Sequence, residues 1–202
     1  MNSNKAIKEW NRIYRKSGFN RGDHFFGGDS GKVLTKFFRD RISPNNLDIG
    51  SGAGTERYAP SSTALDYCKA ALKKSEARRK VLFDLEKIAE GVKLPFRDNS
   101  FGSVTMVSVW QYLDIDPKLL LEEVERILSD DGKLFIIESR AMTKENLQVR
   151  SNYSGEIINY LLGHTFYRLE HNTLCMNGQF SEEYHYINCV TVHMPNYPID
   201  LI

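Results

Sequence analysis

Three aspartates in the first half of the chain stand where a ligand-binding crevice would need them. Asp48 lies in Asn46-Leu47-Asp48-Ile49-Gly50-Ser51-Gly52-Ala53-Gly54, a short apolar strand candidate running into a glycine-rich turn. Such a turn lets the backbone come close to a ligand, and the helix behind it presents free N–H groups to a polar or anionic group. Asp66 closes a second strand candidate, Thr63 to Asp66, where a carboxylate is the usual partner for two ribose hydroxyls. Asp84 follows a third, Lys80 to Phe83. One such acid is more often a helix cap or a solvated loop residue. Three at successive strand ends are expected to ring one crevice at the carboxyl edge of a parallel sheet. The glycines read Gly-x-Gly-x-Gly, whereas dinucleotide binding would need glycine at Thr55, and this disfavours a nicotinamide-dependent oxidoreductase.

The elements that would position these acids follow from periodicity. Ile7, Trp10, Ile13 and Tyr14 recur at helical spacing over residues 3–17, and Ser30 caps a second helix to about Arg41 with Val33, Leu34, Phe37 and Phe38 inside. A glycine-rich loop carrying His24, Phe25 and Phe26 joins them. Beyond the glycine turn come a helix from about Lys69 to Arg79, a β-branched buried strand from Val104 to Val109, and a helix opened by Pro117 and closed by Asp131-Gly132. Another buried strand is Leu134 to Ile137. Strand and helix alternate, which argues for a parallel sheet covered by helices. The tail reads as a helix, Ser154 to His164, and two longer strands, Tyr167 to Met176 and Tyr184 to His193, added as a hairpin to the sheet edge. The expected fold is α/β, a Rossmann-like three-layer sandwich on a mostly parallel seven-stranded sheet with an antiparallel C-terminal strand. The whole chain, 1–202, is expected to be one domain: N-terminal helices or lid over 1–42, a binding core over 43–140, and a C-terminal helix and hairpin over 141–202.

Composition narrows the function classes. The 202 residues are 41% hydrophobic and 26% charged, as in a soluble globular domain. The formal net charge of +1 leaves no bulk footprint for nucleic acid, and the basic cluster Lys73, Lys74, Arg78, Arg79 and Lys80 reads as a solvated helix end. Three scattered cysteines, Cys68, Cys175 and Cys189, build neither a disulfide framework nor a zinc site, and favour a reducing, cytoplasmic setting. No apolar run approaches the about 20 residues of a membrane span, and no signal peptide is expected. The histidines His164, His171, His185 and His193 give no metal site.

At this level the chain resembles the class I S-adenosylmethionine-dependent methyltransferases, and within them the group typified by ubiquinone and menaquinone biosynthesis methyltransferases. The resemblance rests on Leu47 to Gly54, on Leu65-Asp66-Tyr67, on Leu94-Pro95-Phe96-Arg97-Asp98-Asn99-Ser100-Phe101, and on Leu121 to Leu134, and covers roughly residues 44 to 140. It implies S-adenosylmethionine as cofactor and S-adenosylhomocysteine as product. It implies that Gly50, Ser51, Gly52 and Gly54 hold the methionine part, with Asp48 orienting the turn near the amino group. Asp66 would bind the ribose hydroxyls, Tyr67 would pack on the adenine, Asp84 and the Leu85 backbone would meet the ring edge, and Ser108 would line the site beside the sulfonium. The chain departs from the family in a short stretch between Asp48 and Asp66, a polar strand start at Asn45-Asn46, glycine instead of the frequent aspartate at Gly102, and a long stretch after Asp84 that leaves Glu86 as its alternative.

Methyl transfer is an in-line displacement that gains much of its rate from proximity, and needs a base only where the acceptor must lose a proton. No fixed catalytic signature is therefore required, and none is found. Acceptor-side candidates are Trp110, Gln111 and Tyr112 after the fourth strand, where the family often has histidine, together with Tyr14 and His24. Each has a plain alternative: packing for the aromatics, solvation for a loop histidine. Trp10, Tyr14, Phe25 and Phe26 are expected either in the core or in a lid that excludes water. The leading expectation is an enzyme acting on a small, partly apolar acceptor. The competing ones are an RNA or protein acceptor, and a non-catalytic binding or partner protein of the same fold.

Overall fold

Short leucine- and valine-rich segments become five parallel strands: β1 (Asn46–Ile49), β2 (Thr63–Asp66), β3 (Arg79–Leu82), β4 (Phe101–Val107) and β5 (Leu128–Arg140). The computed structural model describes residues 3–15, 35–54, 61–107, 109–140, 168–177 and 184–193. The strands lie in the order β3-β2-β1-β4-β5, with Leu47 opposite Thr63 on one side and Val104 on the other. The chain steps outward from β1 to β3 and then returns across β1 to form β4. That reversal opens a crevice at the carboxyl ends of β1 and β4, where open α/β sheets bind their ligands.

Among the described residues, the strands are flanked by the helices α1 (Ser3–Arg15), α2 (Lys69–Lys74) and α3 (Pro117–Ile127) and by a helical turn over 35–38. Asp116 caps α3 by accepting from the Lys118 N–H at 2.9 Å, with Pro117 in the first turn, where its missing N–H costs nothing. Leu120, Leu121, Val124 and Ile127 bury the apolar stripe of α3 against Leu47, Ile49, Val104, Met106, Leu134 and Ile136. On the opposite face Phe135 meets the rings of Phe37 and Phe38 edge-on at 6.3 and 5.6 Å. Alternate residues of β5 thus feed both layers. Among the described residues no helix is long and apolar enough to cross a membrane. The expected tail helix, 154–164, lies outside them.

Two helix ends differ from the sequence expectation. The helix α2 stops at Lys74 rather than Arg79, because Ser75 turns extended and its Oγ accepts from the Ala77 N–H at 3.1 Å. The helix α3 stops at Ile127, not at Asp131-Gly132. The N–H groups of Asn99 and Ser100 reach the Arg126 and Ile127 carbonyls at 3.0 and 2.8 Å, and so take over the end that a glycine cap would have served. Leu128 is then free to extend and pair with Phe101, and a register shift before the Ser103–Lys133 pair absorbs the intervening residues.

The polar start of β1 is a buried network. The Asn46 side chain donates to Ser62 Oγ at 2.8 Å and Thr105 Oγ1 at 3.1 Å, and accepts from Ser103 Oγ at 2.6 Å. Thr105 in turn donates to Asp48 Oδ1 at 2.7 Å. Satisfied this way, the groups fix the β1–β4 register instead of penalising burial. Gly102 also has a structural cause. It stands at the amino end of β4, away from the crevice, and a Cβ there would run into the side chain of Ser43.

The stretch Leu94 to Asp98 is held by one arginine. Arg126 pairs with Glu123 through Nε at 3.0 Å and Nη2 at 2.7 Å, and donates to Asp98 Oδ1 at 2.7 Å and to the carbonyls of Phe96 and Leu94 at 3.0 and 3.1 Å. Burial pushes the Glu123 carboxyl up, but hydrogen bonds from Arg126 and from the Leu94 N–H outweigh it and hold the group below the usual carboxylate range. Arg126→Ala takes the guanidinium from Glu123, which keeps only the Leu94 N–H, and from the Leu94 and Phe96 carbonyls, so a loss of about 3 kcal/mol is expected. In thermal unfolding that is a fall of about 6–12 °C, with ligand binding at low temperature retained.

Candidate active site

The glycine turn after β1 is built for close approach. Gly50 and Gly52 take φ of +65° and +56°, a region that side-chain-bearing residues avoid. A Cβ at Gly50 would lie 2.5 Å from a Val109 methyl, so the turn seats directly against the segment after β4. The Ser51 N–H donates to the Leu65 carbonyl at 3.1 Å and ties the turn to β2. A Cβ at Gly54 would meet nothing within 4 Å.

Asp66, last in β2, is drawn into this turn. Its Oδ2 accepts from the Gly52 N–H at 2.8 Å and its Oδ1 from the Cys68 N–H at 2.7 Å. Only 6% of the residue is exposed. Burial pushes the carboxyl up to about 6, against the opposing pull of the N–H groups of Cys68, Gly52 and Tyr67. Asp48 lies deeper, wholly buried in the sheet below the turn and bonded to Thr105.

Tyr67 follows at the crevice. Its hydroxyl oxygen is buried and meets no hydrogen-bond partner among the described residues. Burial, then the charges of Asp66, Cys68, Asp84 and Tyr112, push the phenol well above its usual range, so it stays protonated. Asp84 stands two residues past β3 and opens a 3-10 segment, Leu85–Glu90, by accepting from the Glu86 N–H at 3.2 Å. Asp84 rather than Glu86 therefore caps the segment, and Leu85 is buried in the core.

The mouth of the crevice is covered by α1. The Tyr14 hydroxyl accepts from the Ala53 N–H, and a Cβ at Gly52 would lie 2.6 Å from that oxygen. Burial first, then Asp66, raises the Tyr14 phenol well above its usual range. One turn earlier, Asn11 Oδ1 accepts from the Ala70 N–H at 3.3 Å. Trp10 meets Tyr112 edge-on at 5.4 Å and Tyr14 at 6.0 Å.

The sequence candidates therefore separate. Gly50, Ser51, Gly52, Asp66, Tyr67, Tyr14 and Tyr112 converge on one edge of the sheet, with Asp84 at the neighbouring strand end. Trp110 is not at the mouth: it is 3% exposed and belongs to the hydrophobic core. Gln111 lies on the 3-10 segment Trp110–Tyr112, with its side chain outside the described set, as are Ser108, His24, Phe25 and Phe26. Asn11 and Val109 were not read from the sequence. Asn11 stands three residues before Tyr14, on the same helix face, and that spacing was the available signal. No group of three or more His, Cys, Asp or Glu side chains fit to hold a metal occurs among the described residues.

Residues 47–136 match the family described as a methyltransferase domain. Solved structures share the fold. An S-adenosylmethionine-dependent methyltransferase from Aquifex aeolicus is 17% identical, with a TM-score of 0.57 over 93% of this chain and 98% of that one. Geranyl diphosphate C-methyltransferase from Streptomyces coelicolor, solved with Mg2+, geranyl diphosphate and S-adenosyl-L-homocysteine, is 12% identical, with a TM-score of 0.59 over 95% and 97%. Phosphoethanolamine N-methyltransferase 2 from Haemonchus contortus, solved with phosphomonomethylethanolamine and S-adenosylhomocysteine, is 17% identical, with a TM-score of 0.61 over 96% of this chain and 58% of its own. No curated protein matches the chain by sequence.

Proposed function

We propose that this chain is an S-adenosylmethionine-dependent methyltransferase of class I acting on a small-molecule acceptor, a reading supported by the match of residues 47–136 to a family described as a methyltransferase domain. The carrying observation is Asp66, a carboxylate at the carboxyl end of β2 bonded to the glycine turn beside it. The residues fit the cofactor. The turn offers backbone where Cβ atoms are missing, Asp66 offers acceptor oxygens, and the buried Tyr67 hydroxyl lacks a partner among the described residues. When bound, the cofactor supplies an electrophilic methyl group on sulfur. Gly50 to Gly54 would hold its methionine part, Asp66 the ribose hydroxyls, Tyr67 the adenine face, and Asp84 with the Leu85 backbone the ring edge. Asp48 would stiffen the turn from below, and Ser108 would line the strand end.

The chain's part in the reaction is positioning and exclusion of water. Trp10, Tyr14 and Tyr112 wall the acceptor side with aromatic surface, which suits a modest, partly apolar molecule better than a polymer. The Tyr14 phenol, pushed up by burial, serves as a hydrogen-bonding group and not as a base. The non-catalytic reading loses one of its supports, since Gly102 answers to Ser43 at the far edge of the sheet. The test is release of S-adenosylhomocysteine over a panel of amine, hydroxyl and carbon acceptors. Turnover with any of them supports the reading, and binding without turnover across the panel opposes it.

The fold reading extends the same way. We take the complete sheet as seven strands, with β6 (Arg168–Asn177) and β7 (Tyr184–His193) added antiparallel beyond β5. The pairing of Lys133 with His193 through Arg140 with Tyr186 supports it. All 202 residues then form one domain, and the buried free thiol of Cys68 suits a cytoplasmic setting.

The carboxyl of Asp66 gives this function a pH signature. To receive two ribose hydroxyls it must be ionised, and in the protein it protonates near pH 6. Cofactor affinity is expected to be flat above about pH 7 and to fall about tenfold per unit below 6. Its effect on folding runs the other way. A folded value raised above 3.8 means that the native state holds the proton more tightly, so this group's contribution to stability declines as pH rises from about 4 to 6. Calorimetric titration at pH 5, 6 and 7.5 checks the first, and unfolding between about pH 4 and 7 the second.

A further inference from the structure

We infer that Thr105 is a positioning residue for the methionine part of the ligand: its hydroxyl is the last link of a one-way chain of hydrogen bonds through the sheet that fixes the Asp48 carboxylate beneath the glycine turn. The inference rests on the cofactor site proposed above. The chain starts at the amino edge, where the Ser43 N–H donates to Ser103 Oγ at 3.0 Å. Ser103 Oγ donates to Asn46 Oδ1 at 2.6 Å, Asn46 Nδ2 donates to Thr105 Oγ1 at 3.1 Å, and Thr105 Oγ1 donates to Asp48 Oδ1 at 2.7 Å.

The direction is set at the crevice end. An ionised carboxylate only accepts, so the single hydroxyl proton of Thr105 goes to Asp48, and the Thr105 oxygen then receives from Asn46. The Leu47 carbonyl, 3.4 Å from the same hydroxyl, is too far to compete for that proton. The Asn46 amide is thereby held with its nitrogen toward Thr105 and its oxygen toward Ser103. Each bond polarises the next, and all of them point toward the carboxylate. Thr105 and Asp48 are both wholly buried, so Thr105 acts on a ligand only through Asp48. Asp48 is a fixed negative charge two residues before Gly50, in surroundings that screen it less than water does. The methionine part of the ligand carries an ammonium and a carboxylate. The buried charge draws the ammonium toward β1 and turns the carboxylate outward, and the Thr105 hydroxyl holds that charge in one place. The adenosine part, on the side of Asp66 and Tyr67, does not depend on the chain of bonds.

The experiment is calorimetric binding of S-adenosylhomocysteine and of methylthioadenosine, which lacks the amino-acid end, to the wild type, Thr105→Val, Thr105→Ser and Ser62→Ala. Thr105→Val keeps the shape and loses the hydroxyl. It is expected to weaken S-adenosylhomocysteine about five- to tenfold, the effect of one lost hydrogen bond, and methylthioadenosine by less than about twofold. Thr105→Ser restores the hydroxyl and is expected to restore the affinity. Ser62 bonds Asn46 on a side branch, so Ser62→Ala is expected to lower the urea midpoint while leaving the ratio of the two affinities at its wild-type value. Should the valine variant fail to fold, Thr105→Ala removes the same hydroxyl and is judged by the same ratio. Equal losses for both ligands, a serine variant as weak as the valine one, or no loss for either ligand overturn the positioning role and leave the cofactor site intact. A wild type that binds neither ligand overturns the cofactor site, and the positioning role with it.

Discussion

Gly50→Ala is expected to destabilise the protein by about 2–5 kcal/mol and to abolish cofactor binding in whatever remains folded. Two separable causes add. The residue sits at φ of +65°, which costs a side-chain-bearing residue roughly 1–2 kcal/mol. The new methyl would also lie 2.5 Å from a Val109 methyl, and overpacking of that kind typically costs about 1–3 kcal/mol. Val109→Ala in the same chain relieves the second cause and leaves the first, so the double variant should recover part of the stability and little of the binding. Urea unfolding of the wild type, Gly50→Ala, Val109→Ala and the double variant reads the energies. A Gly50→Ala chain as stable as wild type would contradict the geometry of the turn.

Asp66→Ala is expected to lower cofactor affinity at least about a hundredfold, since each hydrogen bond to a charged group is worth roughly 1.5–3 kcal/mol. Its effect on folding should be modest, within about 2 kcal/mol. The carboxylate gives up its bonds to the N–H groups of Gly52 and Cys68. With those bonds in place the carboxyl still stands at about 6 against 3.8, so the buried charge is a net cost of about 3 kcal/mol at neutral pH that the variant sheds while leaving the two N–H groups unpaired. The variant thus separates function from stability, as a residue retained for a ligand should. Titration with S-adenosylhomocysteine and denaturation at pH 7.5 check both halves. Wild-type affinity in the folded variant would remove Asp66 from the site.

The parts of the molecule legible in the sequence are those encoded locally. The glycine turn and Asp66 were readable because a strand, a turn and the next strand lie within 21 residues, Asn46 to Asp66, and each has its own signal. Helix ends were not readable where distant groups decide them. The end of α3 depends on Asn99 and Ser100, and no glycine or proline near Ile127 announces it. The polar start of β1 looked like a departure from pattern, yet Ser62, Ser103 and Thr105 satisfy it from 16 to 59 positions away. Trp110 had two readings from the sequence, packing or acceptor contact, and its burial favours packing. Its position after β4 pointed to the acceptor, but the chain turns there and sends the ring into the core, leaving Tyr112 at the mouth.

The matching segments also divide by purpose. Leu94 to Phe101 and Leu121 to Leu134 resemble the family as closely as the glycine turn does, but their polar residues serve Arg126 and the amino end of β4. Resemblance there reports the fold, and the stretches around Gly50 and Asp66 are the ones that line the crevice. The departures read the same way: Gly102 belongs to the first group, and its difference leaves the crevice unchanged.

Isothermal calorimetry with S-adenosylmethionine, S-adenosylhomocysteine and NADH, on the intact chain at pH 7.5, tests the central claim most directly. Micromolar-range binding of the first two and none of the third is the expected result, given the Gly-x-Gly-x-Gly turn and the Asp66 carboxylate. Binding of NADH alone, or of none of the three, would contradict a methyltransferase site at the carboxyl edge of β1 and β2.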